Sequence, residues 1–495
     1  MKKLFAIVLS IALLFSFLPG VSGAGSSTEL GYYSVLFNTN SIPADFEKQV
    51  EDLGGEVVYA VPEIGFVQVK ALASSFSSLK GLPGVSMANP SISWTLPEEQ
   101  RIDETSFSIE QSQGQKKQTG KKAAESGVNP ANAALWSLQW DIQRITNGGA
   151  SYHLGTGSHD VVVGIIDTGI DRDHPDLAGN LMPGSENFVP AGGFRGTEPY
   201  ETGDPEAFDD IHGHGSHVAG SIAGNGAMLG VAPDTGIRSY RVFGLSSAES
   251  AWIFDAMIEA ANDGVDVISM SLGGFDIIGQ TFYVDPVTDE KINLGNDVAD
   301  FTAYKRVVNY VTAKGSLVVA AAGNDGINAT NKSQVTDFLN AEYGGDGLYF
   351  EGAGFEVPGT IPGVVTVSAT GPNDVLAAYS NYGPDFIDIA AVGGDYRLYM
   401  QYLNEGRLDE YLAKRLFEGE FNLSASESGG WYWSVGTSMA TPKVSAVAAL
   451  LVDKYGKMSP SKLQDLLYKT AVDPVSGDAK SYFGLGHLNA FNALN

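Results

Sequence analysis

The sequence contains no cysteine, only seven histidines among 495 residues, and far fewer basic than acidic side chains. Without cysteine the chain can form neither disulfides nor thiolate metal sites, and it cannot use a cysteine nucleophile. With 30 basic and 58 acidic residues, its formal charge is −28. A surface this acidic repels the phosphates of nucleic acids and anionic lipids. We therefore expect neither as a partner.

Long apolar runs are also scarce, and the N-terminus holds the longest. After two lysines, the run from Leu4 to Leu18 is 15 residues long, short of the roughly 20 residues that a membrane-spanning helix needs. Small residues follow it. A charged start, an apolar centre and a small-residue exit predict a secretory signal peptide over residues 1–24, and therefore a secreted, extracellular protein with no membrane attachment after cleavage.

The rest of the chain divides into three parts. Hydrophobic residues make up 43% and charged residues 18%, which is typical of globular protein, and the length favours more than one folding unit. Residues 25–96 carry a β-α-β-β-α-β pattern, which predicts one sheet with two helices. Residues 97–131 are rich in Gln, Ser, Glu and Lys and nearly lack large apolar groups, which predicts a flexible linker. Residues 132–495 form the main domain.

The main domain alternates strand and helix patterns. Nearly continuous apolar runs, typical of strands buried on both faces, lie at 160–167, 266–272, 316–324 and 364–370. Helices are predicted at 216–224, 250–262, 297–314, about 438–454 and 460–471. This alternation predicts an α/β fold with a doubly wound, mainly parallel sheet. The stretches 275–296, 326–357 and 395–430 fit the pattern poorly and are interpreted as surface insertions.

Four polar residues stand where such a fold places reactive groups. Asp167 and Asn324 each end a predicted strand, at the sheet edge where α/β folds bind ligands. His214 lies among small residues just before a helix, and Ser438 opens another helix whose N–H groups favour negative charge. His214 could take the proton of Ser438 while Asp167 orients the imidazole. Asn324 and the Ser438 N–H could hold the oxyanion of a tetrahedral intermediate.

Each motif alone has a plainer interpretation. The GTSMA stretch could be a packed helix start, and AAGN an ordinary strand end. His212, His214 and His217 could together bind a metal, although their spacing does not match the HExxH pattern of metalloproteases. GTSMA also lacks the second glycine of the GxSxG elbow, which argues against an α/β-hydrolase.

Taken together, the stretches GIIDTGID, GHGSHVAG, ISMSLGG, AAAGN and GTSMATP, in this order, resemble the subtilase family of serine proteases. The C-terminal YFGLGHLNAFNAL is similar too, and the resemblance covers about 140–495 apart from the insertions. It implies a triad of Asp167, His214 and Ser438 with Asn324 as oxyanion donor. It also implies that Ser271, Leu272 and Gly273 line the substrate cleft and pair with the substrate backbone.

The same resemblance identifies the unit before the linker as an inhibitory propeptide. Some positions depart from the family pattern: Ser216 replaces a threonine, and Ala391-Val392-Gly393 replaces Ala-Pro-Gly. The segment GSIAGNGAMLGVAP is shorter than in subtilisin, where extra residues form a calcium loop. The metal ligands are therefore unknown. Structural calcium is possible, for example at the Asp-rich stretch 285–297, where a solvated loop is the simpler interpretation.

The sequence thus predicts a secreted serine endopeptidase that needs no cofactor for its chemistry. We expect it to be made as a precursor that cuts its own linker between about Leu96 and Pro130. Its partners would be protein or peptide substrates and its own propeptide, and we expect a monomer. Two alternatives remain open. One is a catalytically silent binding protein with the same fold, and the other is an esterase or transacylase that uses the same site. Side-chain specificity, natural substrate and pH optimum are not predicted.

Overall fold

A computed structural model describes residues 30–96, 100–104, 128–245, 247–284 and 288–495. The predicted signal peptide and most of the predicted linker lie outside these ranges. Within them, the chain forms a small N-terminal unit docked on a large α/β domain.

The N-terminal unit is a four-stranded antiparallel sheet with two helices. Its strands are Leu30–Phe37, Glu56–Val61, Phe66–Leu72 and Val85–Pro90, and its helices are Phe46–Asp52 and Phe76–Lys80. Side chains alternate between the two faces of a strand. Val35 and Val67 accordingly pack in the unit's own core, whereas their neighbours Leu36 and Phe66 face the large domain.

The large domain is built on a nine-stranded sheet. In spatial order its strands are Val472–Pro474, Gly486–Leu488, Ile389–Val392, Val364–Thr370, Leu317–Ala321, Val267–Met270, Val162–Asp167, Gly236–Arg241 and Glu186–Asn187. Neighbouring strands run parallel except the first two, which are antiparallel. The predicted doubly wound, mainly parallel sheet is confirmed.

Helices cover both faces of this sheet. The α-helices of the domain are Trp140–Thr146, His214–Ala223, Ser250–Asn262, Val298–Lys314, Lys332–Tyr343, Arg397–Asn404, Leu408–Ala413, Thr437–Tyr455, Pro460–Thr470, Lys480–Phe483 and Ala490–Leu494. Leu317 and Val319 of the central strand pack in one apolar core, and Val318 and Ala320 in the other. Burial on both faces explains why this strand reads as an unbroken apolar run.

The stretches interpreted as surface insertions are more ordered than that interpretation suggests. Strand Gly274–Val284 pairs with Lys291–Gly295 and with Leu348–Val357, so two insertions far apart in sequence form one sheet. The third stretch contributes Tyr411, Phe417 and Phe421 to the main core. Such pairing depends on long-range contacts, which local sequence patterns do not report.

Two segments connect the N-terminal unit to the large domain. Ser93–Thr95 adds an antiparallel strand to Ser247–Glu249. Ile102–Asp103, inside the predicted linker, pairs with Trp431–Ser434, which also pairs with Asn422–Ala425. The body of the unit rests on two helices of the large domain, where the Phe66 and Phe254 rings meet edge to face at 5.2 Å.

Candidate active site

Asp167 and His214 form a buried pair at the edge of the main sheet. His214 is the first residue of its helix, and its Nδ1 lies 2.7 Å from Asp167 Oδ1, with both residues about 1% exposed. A side chain on Gly215 would collide with the Gly169 carbonyl, so only glycine lets the helix approach the strand end this closely. Because a carboxylate oxygen accepts hydrogen bonds, Nδ1 is the donor, and Nε2 of the neutral ring is left as the acceptor.

Ser438 is the second residue of helix Thr437–Tyr455, which packs against the helix that carries His214. Its hydroxyl donates to the Ser271 carbonyl at 3.1 Å, and the Ser271 hydroxyl donates to the Ser438 carbonyl at 2.8 Å. The second bond is available because Pro442, four residues on, has no N–H to bond that carbonyl. Proton transfer to His214 requires the Ser438 hydroxyl to turn away from Ser271.

The Asn324 side chain is held in one orientation by Thr437. Both the Thr437 N–H and the Thr437 hydroxyl donate to Asn324 Oδ1 at 2.9 Å. Since Oδ1 accepts both bonds, the amide orientation follows, and Nδ2 is a donor. A β-carbon built on Gly436 would lie 3.7 Å from Nδ2 and 3.5 Å from Ser438 N. The two proposed oxyanion donors therefore border one small space.

Ser271, Leu272 and Gly273 directly follow strand Val267–Met270 and run past Ser438. Trp94 of the N-terminal unit lies against the next residue, Gly274, where an added β-carbon would meet its ring at 2.9 Å. The residue that follows the expected cleft segment is thus in contact with the docked N-terminal unit.

A model of the subtilase family matches residues 158–487. The chain belongs to the subtilase family. The epidermin leader peptide-processing serine protease EpiP of Staphylococcus epidermidis is 32% identical over 99% of both chains. The nisin leader peptide-processing serine protease NisP of Lactococcus lactis is 37% identical over 67% of this chain and 46% of its own length. A crystal structure of EpiP from Staphylococcus aureus is 33% identical, has a TM-score of 0.77, and matches over 94% of this chain and 98% of its own.

This subtilase is therefore a serine protease, a class whose catalysis needs no cofactor. Its three close histidines do not converge on a metal. His217 is buried, its Nε2 lies 3.2 Å from the Asn422 carbonyl, and burial, followed by the charge of Lys443, holds its pKa well below the usual range. Across the described ranges, no group of three or more His, Asp or Glu side chains is arranged to hold a metal ion.

The shortened segment 220–233 wraps around Asp176. Backbone N–H groups of Ala227 and Met228 donate to its carboxylate at 2.8 and 3.2 Å, and the Trp431 indole donates at 2.9 Å. These three N–H donors already stabilise the negative charge of the carboxylate, which is the role that a bound cation would have. The residues around Asp176 thus do not fit a calcium site.

Two supporting residues escaped the sequence analysis. Asp210 is buried and accepts bonds from the N–H groups of His212, Gly213 and Ser216, which set the start of the His214 helix. Thr437 orients the oxyanion donor, as described above. An Asp a few residues before a helix is a recognisable capping signal, but the role of Thr437 depends on a partner 113 residues away.

The part of the chain that the structure describes contains no helix with the length and apolar character of a membrane span.

Proposed function

We propose that this subtilase is a secreted endopeptidase that cleaves peptide bonds through an acyl-enzyme on Ser438. The observation that carries the proposal is the pairing of His214 with Asp167 on a helix that packs against the helix of Ser438, whose backbone N–H and the Asn324 amide border one space. Asp167, His214, Ser438 and Asn324 would be the catalytic residues.

In this mechanism the Ser438 oxygen attacks the substrate carbonyl carbon while its proton passes to His214 Nε2. The negative charge that develops on the carbonyl oxygen is met by Asn324 Nδ2 and the Ser438 N–H. The imidazolium, stabilised by Asp167, then donates its proton to the leaving amine. Water, deprotonated by the same histidine, hydrolyses the acyl-enzyme and restores the serine.

Two observations support a substrate class. Ser247–Glu249 already accepts an added antiparallel strand, and Ser271–Gly273 runs beside the nucleophile. A substrate bound there would be extended, which suits an unfolded peptide segment. Because two relatives are named for removing leader peptides, we propose that this protease removes a leader from a secreted peptide precursor.

We also propose that the protease processes itself. The segment before residue 96 is held on one side of the site, where the Trp94 indole donates to Ser250 Oγ at 2.9 Å. The segment after residue 100 is held on the other side, where Arg101 donates to the His212 carbonyl and pairs with Glu427. Both flanking segments are thus anchored on the large domain, so we place the cut between Leu96 and Arg101.

Two experiments test these proposals. A serine-directed phosphonate should label Ser438, located by mass spectrometry, while a chelator should leave the chemistry in place. Labelling elsewhere in an active sample would overturn the catalytic assignment. Separately, purified Ser438→Ala should keep residues 30–96 covalently attached, whereas wild type should show a new N-terminus between residues 97 and 101. If the variant is trimmed to that same N-terminus, self-processing is wrong even if the triad is right.

A further inference from the structure

Glu356 is a buried carboxylate with no good partner. It lies on strand Leu348–Val357, is 1% exposed, and receives a hydrogen bond of good geometry at neither oxygen. Burial, followed by the charge of Asp325, holds its pKa well above the usual range. The nearby Gly359 N–H and Lys332 oppose this effect. Lys332 is occupied elsewhere, because its ammonium donates to the Ala329 carbonyl at 2.9 Å and lies 4.2 Å from the centre of the Phe355 ring.

The carboxylate lies against Gly273, in the segment Ser271–Gly273. A β-carbon on Gly273 would lie 2.5 Å from Glu356 Oε1, and one on Gly359 would collide with Oε2. Glycine at both positions therefore makes the space that the carboxylate occupies. A side chain at position 273 would push the Glu356 carboxylate away from the segment Ser271–Gly273, which runs past Ser438.

This position is close to the reacting atoms along the chain. Gly273 is two residues from Ser271, whose carbonyl accepts the Ser438 hydroxyl. On the other side, Asp325 immediately follows Asn324, and the Asn381 amide donates to its Oδ2 at 2.8 Å. The Asp325 side chain is exposed to solvent. The protein packed around its carboxyl group nevertheless removes enough water to raise its pKa. Glu356 thus lies against the segment that bonds Ser438, and Asp325 follows the residue that bonds Thr437, so both carboxylates belong to segments that meet at the nucleophile.

We propose that Glu356, with Asp325 at the rim, forms an anionic specificity pocket for a lysine or arginine immediately before the cleaved bond. The inference rests on the proposed function and names the side chain that this site selects. A buried carboxylate without a partner is costly, and a cation supplied by the substrate would satisfy it. An arginine could do so through two parallel N–H···O bonds. A neutral side chain of equal length would leave the carboxylate unsatisfied, which is the source of the selection.

Self-cleavage between residues 96 and 101 does not conflict with this preference. The linker is delivered to the site by its own chain, and a high effective concentration offsets a poorer fit in the pocket.

The test uses four peptides that differ only in the residue before the cleaved bond: arginine, lysine, leucine, or citrulline, which matches arginine in shape but carries no charge. For the mature wild-type enzyme we expect kcat/KM to be at least about 10-fold higher for arginine than for citrulline. Glu356→Gln should abolish most of that ratio, because it lowers cleavage of the arginine peptide more than cleavage of the leucine peptide. Asp325→Asn should reduce the ratio less, because Asp325 is solvent exposed.

Glu351→Gln is the matched control, since Glu351 lies on the same strand but its side chain is 64% exposed and pairs with Lys291. This variant should keep the wild-type ratio. Equal cleavage of arginine and citrulline peptides by wild type would overturn the pocket while leaving the protease assignment intact. If the enzyme cleaves none of the four peptides, and the phosphonate does not label it, the proposed function is wrong. The comparison of the four peptides with the wild-type enzyme does not depend on whether any variant folds.

A second readout separates a charge in the pocket from a structural role. The titratable groups that face Glu356 are Asp325, Lys332, Asp276 and Tyr304. Because the pKa of Glu356 is raised, the empty pocket is protonated at low pH, and a cation must displace that proton. The arginine-to-citrulline ratio should therefore rise with pH in wild type, and rise much less in Glu356→Gln, where Asp325 is the remaining carboxylate of the pocket. A ratio that is independent of pH in both enzymes, or that falls with pH, would count against the pocket.

Discussion

Replacing Asn324 by alanine tests whether its amide meets charge in the transition state. Thr437 fixes Oδ1 through two bonds of 2.9 Å, so Nδ2 is positioned before the substrate arrives. A preorganised donor of this kind contributes mainly when charge develops on the carbonyl oxygen. We expect kcat to fall by about 10²–10³, or roughly 2.7–4 kcal/mol, the range known for loss of such a donor in subtilisin, with KM nearly unchanged.

The assay is steady-state hydrolysis of one peptide by the mature enzymes, because kcat and KM must be separated. Alanine also removes both bonds to Thr437, so urea denaturation should accompany the kinetics. Thr437→Val is the matched variant: it loses one orienting bond, worth about 1 kcal/mol, but keeps the N–H that fixes Oδ1. Its kcat should fall by no more than about 10-fold. Full kcat in Asn324→Ala, or an effect confined to KM, would refute the assignment.

Three further outcomes are expected. Trp94→Ala should weaken binding of the cleaved N-terminal unit to the large domain by roughly 2–4 kcal/mol, because a buried indole is lost. Inhibition of peptide hydrolysis by this unit should fall accordingly. Unchanged inhibition would mean that Trp94 does not anchor the unit. Burial raises the pKa of Asp300 to about 7 where Asn89 and Ser34 cover it, whereas a free carboxylate ionises near pH ~4. Docking then takes up a proton, so the complex should weaken as pH rises from about 4 towards 7, by at most ~1.4 kcal/mol per pH unit. Dissociation that is independent of pH, or equally pH-dependent in Asp300→Asn, would contradict this. Lys443→Met should lower the free energy of unfolding in urea by about 3–5 kcal/mol, because it leaves Asp141 buried without its partner at 2.8 Å, and adding Asp141→Leu should recover much of the loss.

The sequence alone was sufficient for the parts of the fold that local chemistry controls. The strand at 317–321 is apolar at every position because helices cover both its faces, and that pattern is visible without a structure. Helix Ser250–Asn262 matches its predicted bounds, and helix Pro460–Thr470 begins where Ser459 and Pro460 signal a start. The residue motifs also identified the family, because their order along the chain is itself specific.

Only the tertiary structure decided how distant segments combine. Two stretches interpreted as separate surface insertions form one sheet, since pairing of Gly274–Val284 with Leu348–Val357 depends on contacts across more than one intervening element. That sheet carries Glu356 to Gly273, and nothing local marks this glutamate as different from any solvated one. Likewise, the Asn324 amide is oriented by Thr437, 113 residues later. Hydrophobic periodicity reports which face of an element is buried, whereas a hydrogen bond or an unpaired charge depends on which atoms the completed fold brings together.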